Sequence, residues 1–126
     1  MNVQSIPAGQ LACLLHDTAA GICAGTAAAG LIAGHGYFLH HPGFRRVIAA
    51  GSPVLTGEPA AVIRWKAALH ALDTGRLPCT GPEEAVLRIA ASLGDPAIPV
   101  RLRSVLGGLD RRNITLVAAA ITAANG

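Results

Sequence analysis

The feature that most constrains the fold is the last third of the chain, residues 80–126, which carries the clearest helix start and stop signals. Thr80 is followed three residues later by Glu83, a capping-box pattern in which each residue's side chain bonds the other's backbone N–H. Apolar residues then recur at helical spacing until Gly94, a residue type that commonly follows a helix. The pattern predicts a helix over 82–93.

Two more helices are predicted after this one. A short helix over 101–107 is expected to be closed by paired glycines, and Asp110 is expected to cap a final helix over 111–124. The apolar stripe predicted for the final helix consists of Ile114, Val117, Ala118 and Ile121.

The rest of the chain is also read as helical. Aromatic residues are only 3% of the sequence and alanine supplies much of its apolar content, which favours closely spaced helices over sheet layers. The predicted fold class is all-α, a compact bundle of about five to six helices in one domain over 1–126. The predicted helical segments are approximately 7–20, 21–36, 42–50, 58–72, 82–93, 101–107 and 111–124.

Two details of this organisation are open at the sequence level. An N-terminal helical arm, 1–40, is a candidate for packing on a C-terminal unit, 56–126, with the loop over 51–57 as the hinge. In the segment 42–50 we expect Phe44, Val47 and Ile48 to point inward, whereas Arg45 and Arg46 face water.

Four glycines, Gly21, Gly25, Gly30 and Gly34, form two i, i+4 pairs in an uncharged run near the N-terminus. Rows of small residues let another helix approach closely, although each glycine costs about 1 kcal/mol of helix propensity relative to alanine. The row predicts either a core helix packed on its own chain or the interface of a homodimer. A third reading breaks the run near Gly21 or Gly25 into two shorter helices.

A cluster of basic residues gives the alternative function. The residues Arg101, Arg103, Arg111, Arg112 and Asn113 fall on and between the last two predicted helices. Arginine and asparagine are the residue types that read guanine and adenine edges, so the cluster suggests a helix-turn-helix-like unit that binds DNA. The opposing interpretation is a solvated face paired with nearby carboxylates.

Chemistry-bearing motifs are not found in the sequence. Cys13 with His16, and the group His35, His40 and His41, lack the paired spacing that a zinc site needs, so we expect no metal and no cofactor. The three cysteines form no disulfide framework, which predicts reduced thiols in a cytoplasmic protein. The apolar run of residues 18–34 is short and weakly lipophilic, so we expect no membrane insertion.

The segments LPCTGPEEAVLRIAASL and LDRRNITLVAAAI resemble small alanine-rich helical proteins of unknown function from high-GC bacterial genomes. The resemblance covers about residues 42–126. It implies a cytoplasmic helical domain and brings no activity or site residues with it.

The sequence therefore predicts a non-enzymatic helical protein that acts by protein–protein interaction. The expected partner is a second copy of the chain or another protein, bound through either the small-residue N-terminal helix or the exposed arginines. The formal charge of +3 is too small to predict nucleic-acid binding by itself, so DNA remains the alternative partner.

Overall fold

Helices make up most of the secondary structure in this computed structural model, which describes residues 2–51 and 57–126. A two-stranded antiparallel sheet accompanies them. Two short 3₁₀ turns, Val3–Ser5 and Phe38–His40, precede the sheet. In chain order, the longer elements are α1 (Ala8–Thr18), α2 (Cys23–His35), α3 (Pro42–Arg45), β1 (Ile48–Gly51), β2 (Ala60–Ile63), α4 (Trp65–Asp73), α5 (Gly81–Gly94), α6 (Leu102–Leu106) and α7 (Arg111–Ala124).

Local capping decides where α5 and α7 begin. Thr80 N–H donates to Glu83 Oε1 at 2.8 Å, and Glu83 N–H donates to Thr80 Oγ1 at 3.4 Å, so both bonds of the capping box form. At the start of α7, the Asp110 carboxylate accepts the Asn113 N–H at 2.8 Å. The sequence-based starts of these two helices are confirmed.

The glycine-rich N-terminal run is broken into two helices. Gly21 has φ of 94° and lies in the turn between α1 and α2, where a residue with a side chain would be strained. Thr26 Oγ1 donates to Ala19 O at 3.1 Å and ties the first turn of α2 to this turn. The reading with a break near Gly21 is therefore the correct one.

A two-stranded sheet stands where the sequence predicts helix, which corrects the all-α prediction. The predicted helix 42–50 stops at α3 and continues as β1, and the predicted helix 58–72 is β2 in its first part and α4 in its second. The strands pair in antiparallel register, with Ile48 opposite Ile63. The predicted hinge, 51–57, falls mostly on residues 52–56, which lie outside the described part of the chain.

Tertiary contacts explain why alanine-rich segments are extended here. Arg64 N–H donates to Val47 O at 2.8 Å and so continues the ladder beyond β1 and β2. At the outer edge of β2, Ala61 N–H donates to Thr18 Oγ1 at 3.0 Å, which supplies an acceptor from α1. These bonds join residues far apart in sequence, and they outweigh the local helix propensity of alanine.

Arg45 is buried, whereas the sequence analysis expected it to face water. Its Nε donates to Leu39 O at 2.7 Å, and its Nη1 donates to Val3 O at 2.8 Å and Ile6 O at 2.6 Å. The guanidinium thus donates to three carbonyls from the first six residues and the second 3₁₀ turn, and it ties these segments to α3. As expected, Phe44 is fully buried.

The buried face of α7 is also rotated from the predicted one. Val117 is buried as expected, but Asn113 and Ala120 complete the inner face, while Ile114 and Ile121 remain 39% and 48% exposed. Because alanine and isoleucine occupy neighbouring positions in α7, the sequence pattern does not fix the rotation of the buried face about the helix axis to better than a fraction of a turn. As a result, two large aliphatic side chains lie on the surface.

The core lies where α2 packs against α5 and α7, and where α4 packs on α5. At one edge of it, the Trp65 ring lies directly on the backbone of Gly94, and a Cβ added to Gly94 would be 2.1 Å from Trp65 Nε1. Gly94 therefore makes room for the indole as well as ending α5. The largest fully buried side chains are Phe38, Phe44, Leu11, Ile32, Leu77, Leu87, Val86 and Val117.

Candidate functional site

An open apolar groove of about 500 Å³ runs between α2 and α7. Its walls are mostly small or aliphatic, and polar side chains are gathered around the turn that precedes α2, with Thr26 one turn into the helix. The polar group comprises His16, Cys23 and Thr26. The apolar walls are Ala27, Gly30 and Leu31 from α2, and Leu116, Ala119, Ala120 and Ala123 from α7.

The groove exists because short side chains face each other across it. Gly30 is exposed, and a Cβ added to it would have no atom within 4 Å. On the opposite wall, Leu116, Ala119 and Ala123 follow the i, i+3, i+7 spacing of a helix face. Neither wall has side chains long enough to fill the space between the helix backbones.

The four predicted interface glycines do not share one face. Gly21 and Gly30 line the groove, but a Cβ on Gly25 would lie 3.6 Å from Ala19 Cβ, on a different side of α2. Five residues separate Gly25 from Gly30, which at about 100° per residue leaves them about 140° apart around the helix. A Cβ on Gly34 would lie 3.7 Å from Leu116 Cδ2, so this glycine packs within the chain.

The predicted arginine cluster is divided between two roles. Arg112 Nη2 donates to His35 O at 2.9 Å, so this arginine bonds the C-terminal end of α2. Asn113 is buried, with 3% of its surface exposed, and is not available to a nucleic acid in this structure.

The other three members of the cluster are solvent-exposed, as Arg112 is. Arg101, Arg103 and Arg111 have no carboxylate within ion-pair distance among residues 2–51 and 57–126. The pairing that the solvated-face interpretation expects is instead made by Arg88, which binds Asp73 at 2.8 Å and Glu84 at 2.9 Å.

Titratable groups meet at the junction of α2, α5 and α7. His35 is buried and its Nδ1 has no hydrogen-bond partner. Burial lowers the pKa of His35 below its ordinary value, and the positive charge of Arg112 lowers it further, while Glu83 and Asp110 act in the opposite direction. The surroundings of the ring therefore favour its neutral form.

The cysteine nearest this junction is chemically quiet. Burial, followed by the charges of Glu83 and Glu84, raises the pKa of Cys79 to about 11. The thiol stays protonated near neutral pH, and a protonated thiol is a poor nucleophile. Among the described acid–base pairs, His16 and Asp17 lie 3.5 Å apart, but both side chains are mostly exposed.

The described residues contain no group of three or more His, Cys, Asp or Glu side chains placed to hold a metal ion. Cys13 and His16, and the histidines at 35, 40 and 41, are not gathered into such a group. Within 2–51 and 57–126, no helix has both the length and the hydropathy for crossing a membrane.

No protein-family model, curated protein or solved structure matches this chain. The resemblance to alanine-rich bacterial proteins therefore stays a prediction. The glycine pattern in the sequence indicated one wall of the groove, whereas the wall on α7 was not predicted. The missed signal was the spacing of Leu116, Ala119 and Ala123, a row of mostly small residues on α7.

Proposed function

We propose that this is a non-enzymatic, cytoplasmic protein that acts by protein–protein interaction and forms a homodimer through the α2–α7 groove. The observation that carries the proposal is the groove itself, an exposed apolar channel with Gly30 in one wall. Contiguous exposed apolar surface of this kind is typical of interaction sites. Three unpaired cysteines, Cys13, Cys23 and Cys79, support a reducing compartment.

The lining chemistry favours a second copy over a charged partner. None of the groove residues is Lys, Arg, Asp or Glu. The buried centre of an interface is depleted in charge, and an isologous dimer places the same uncharged patch on both sides of a two-fold axis. Each copy therefore presents the surface that the other requires.

The second copy would contact the backbone of α2 closely at Gly30. Because Gly30 has no side chain and faces open space, a helix of the second copy would reach the α2 backbone there. The groove is therefore widest where Gly30 stands opposite the small residues of α7.

The test is the molar mass in solution of the wild-type chain and a Gly30→Leu variant, by sedimentation equilibrium over a concentration series. The Cβ of the new leucine would have no atom of its own chain within 4 Å, so the side chain would project into the groove. We expect a wild-type dimer and at least a tenfold weaker dimer in the variant, about 1.4 kcal/mol.

Gly9→Leu is the matched control, because Gly9 is also an exposed helical glycine with no atom near its added Cβ, but it lies in α1 away from the groove. It is expected to dimerise as the wild type does. A wild-type monomer at every concentration, or a Gly30→Leu dimer as tight as that of Gly9→Leu, refutes the proposal.

DNA binding is the second candidate, and one observation favours it: Arg101, Arg103 and Arg111 are exposed and have no carboxylate partner in the described part of the chain. If these side chains contact phosphates, affinity for a random duplex falls steeply with salt. Replacing all three with alanine should reduce both the affinity and its salt dependence, whereas Arg76→Ala, at another exposed arginine, should not. Affinity that does not depend on salt removes this candidate.

A further inference from the structure

The solvent-facing side of α6 and α7 carries four large aliphatic side chains that are between 39% and 48% exposed. We call this surface the α6–α7 face. It comprises the aliphatic residues Leu102, Leu106, Ile114 and Ile121 and the exposed arginines Arg101, Arg103 and Arg111.

The aliphatic residues follow helical spacing on both elements. Leu102 and Leu106 are i, i+4 on α6, and Ile114 and Ile121 are i, i+7 on α7. Four residues link the two helices, so the Cα atoms of Leu106 and Arg111 are at most about 18 Å apart. With the rise of α7 from Arg111 to Ile114 added, Leu106 and Ile114 are at most about 23 Å apart, so a partner helix of about five turns, about 27 Å long, can contact both stripes.

The positive charge of the α6–α7 face indicates which kind of partner would bind to it. Residues 96–126 contain four arginines and a single carboxylate, Asp110, which already accepts the Asn113 N–H at the start of α7. A second copy of the chain would bring the same arginines against this face, and like charges repel. An acidic partner would neutralise them while its apolar residues cover the leucines and isoleucines.

The aliphatic side chains also distinguish a protein from a duplex. Protein contacts to DNA are mostly hydrogen bonds and ion pairs to phosphate and sugar. Such contacts would occupy the arginines and leave Leu102, Leu106 and Ile114 in water. An amphipathic helix covers both kinds of side chain at once, as in helix-in-groove recognition.

We propose that the α6–α7 face docks an acidic amphipathic helix from a protein partner. This surface is separate from the dimer groove, because Ile114 and the groove residue Leu116 are about 160° apart around α7. Failure of the proposed dimer would therefore leave this proposal standing, and the reverse holds as well.

The test is fluorescence anisotropy with a labelled synthetic helix that carries leucine at i, i+3, i+4 and i+7 and glutamate on the flanks of that stripe. A scrambled peptide of the same composition keeps the charge and loses the apolar stripe. A random DNA duplex is the competing probe. We expect saturable binding of the amphipathic peptide and at least tenfold weaker binding of the scrambled one.

Substitutions on the face separate its two components. Leu106→Gln combined with Ile114→Gln should weaken peptide binding at least tenfold, whereas Val62→Gln, at an aliphatic residue 49% exposed on β2, should not. Arg103→Glu combined with Arg111→Glu should abolish binding of the acidic peptide and create binding of its lysine counterpart. Arg76→Glu is the charge-matched control, and circular dichroism verifies that each variant is folded.

Three results would overturn the proposal. The first is the absence of binding to the amphipathic peptide, or equal binding to the scrambled one. The second is charge-reversal variants that do not exchange their peptide preference. The third is a duplex that binds more tightly than the peptide and displaces it through Arg103 and Arg111.

Discussion

Replacing Gly94 with alanine should destabilise the protein, although alanine is the better helix former. The added Cβ would lie 2.1 Å from Trp65 Nε1, 2.4 Å from Cε2 and 2.8 Å from Cζ2. Ordinary contact needs about 3.5–4.0 Å, so the indole must move by more than 1 Å away from the backbone it covers. Both residues belong to packed, partly buried surface, which limits how cheaply the ring can shift.

The magnitude follows from two opposing terms. Gly→Ala in a helix contributes at most about 1 kcal/mol, and less at the end of α5 than in its interior. Overpacking a fitted contact costs about 1–3 kcal/mol. We expect a net loss of about 1–2 kcal/mol, which for a chain of this size lowers the midpoint of thermal unfolding by about 5 °C.

The assay is urea and thermal unfolding followed by tryptophan fluorescence, because Trp65 is the single tryptophan of the chain and reports directly on the contact. Gly9→Ala is the matched control: Gly9 is also a helical glycine, its added Cβ meets no atom, it lies outside the groove, and the substitution should stabilise by up to about 1 kcal/mol.

A double-mutant cycle isolates the contact. In a Trp65→Leu background, followed by circular dichroism, Gly94→Ala should no longer destabilise, because the atoms it would collide with are gone. The reasoning is refuted if Gly94→Ala leaves stability and emission unchanged, or if it destabilises equally in both backgrounds.

Three further predictions concern groups buried wholly or in part. Arg45→Met should cost about 3 kcal/mol in urea unfolding, because three carbonyls lose a charged donor; an unchanged midpoint would contradict this. Because the folded chain holds the pKa of His35 below its ordinary value of 6.5, the unfolded chain takes up a proton first. Stability should therefore fall as pH drops through 6.5 toward the lower folded pKa, and His35→Phe should lose part of this slope; identical slopes would exclude His35 as the cause. With its pKa at about 11, Cys79 should react with a thiol reagent at pH 8 much more slowly than Cys13 and Cys23, and equal rates would show that it is accessible as thiolate.

Local signals predicted the parts of the fold that local physics controls. The starts of α5 and α7 were predictable because Thr80, Glu83 and Asp110 satisfy helix N–H groups within three residues of themselves. The strands were not, because their bonds join segments that sequence spacing does not connect, such as Arg64 to Val47.

The candidate surfaces were only half predictable for a related reason. The glycine content of α2 indicated a face that another helix could approach closely, and Gly30 lies on that face. Gly25 does not, because its position around the helix axis places it on a different side. The arginines were found by charge alone. Arg112 bonds the last carbonyl of α2, and this bond depends on where α2 ends in the folded structure. The position of that end relative to Arg112 is set by tertiary packing, which the sequence pattern does not reveal.

The bond from Arg112 to the end of α2 has a consequence for the order in which the chain matures. α2 has 13 residues and is rich in glycine, so by itself it is near the limit at which a helix persists in water. Its last carbonyl gains a donor only from a residue 77 positions later. Because α2 also packs against α7, it gains its full set of tertiary contacts only after the segment that forms α7 has been synthesised.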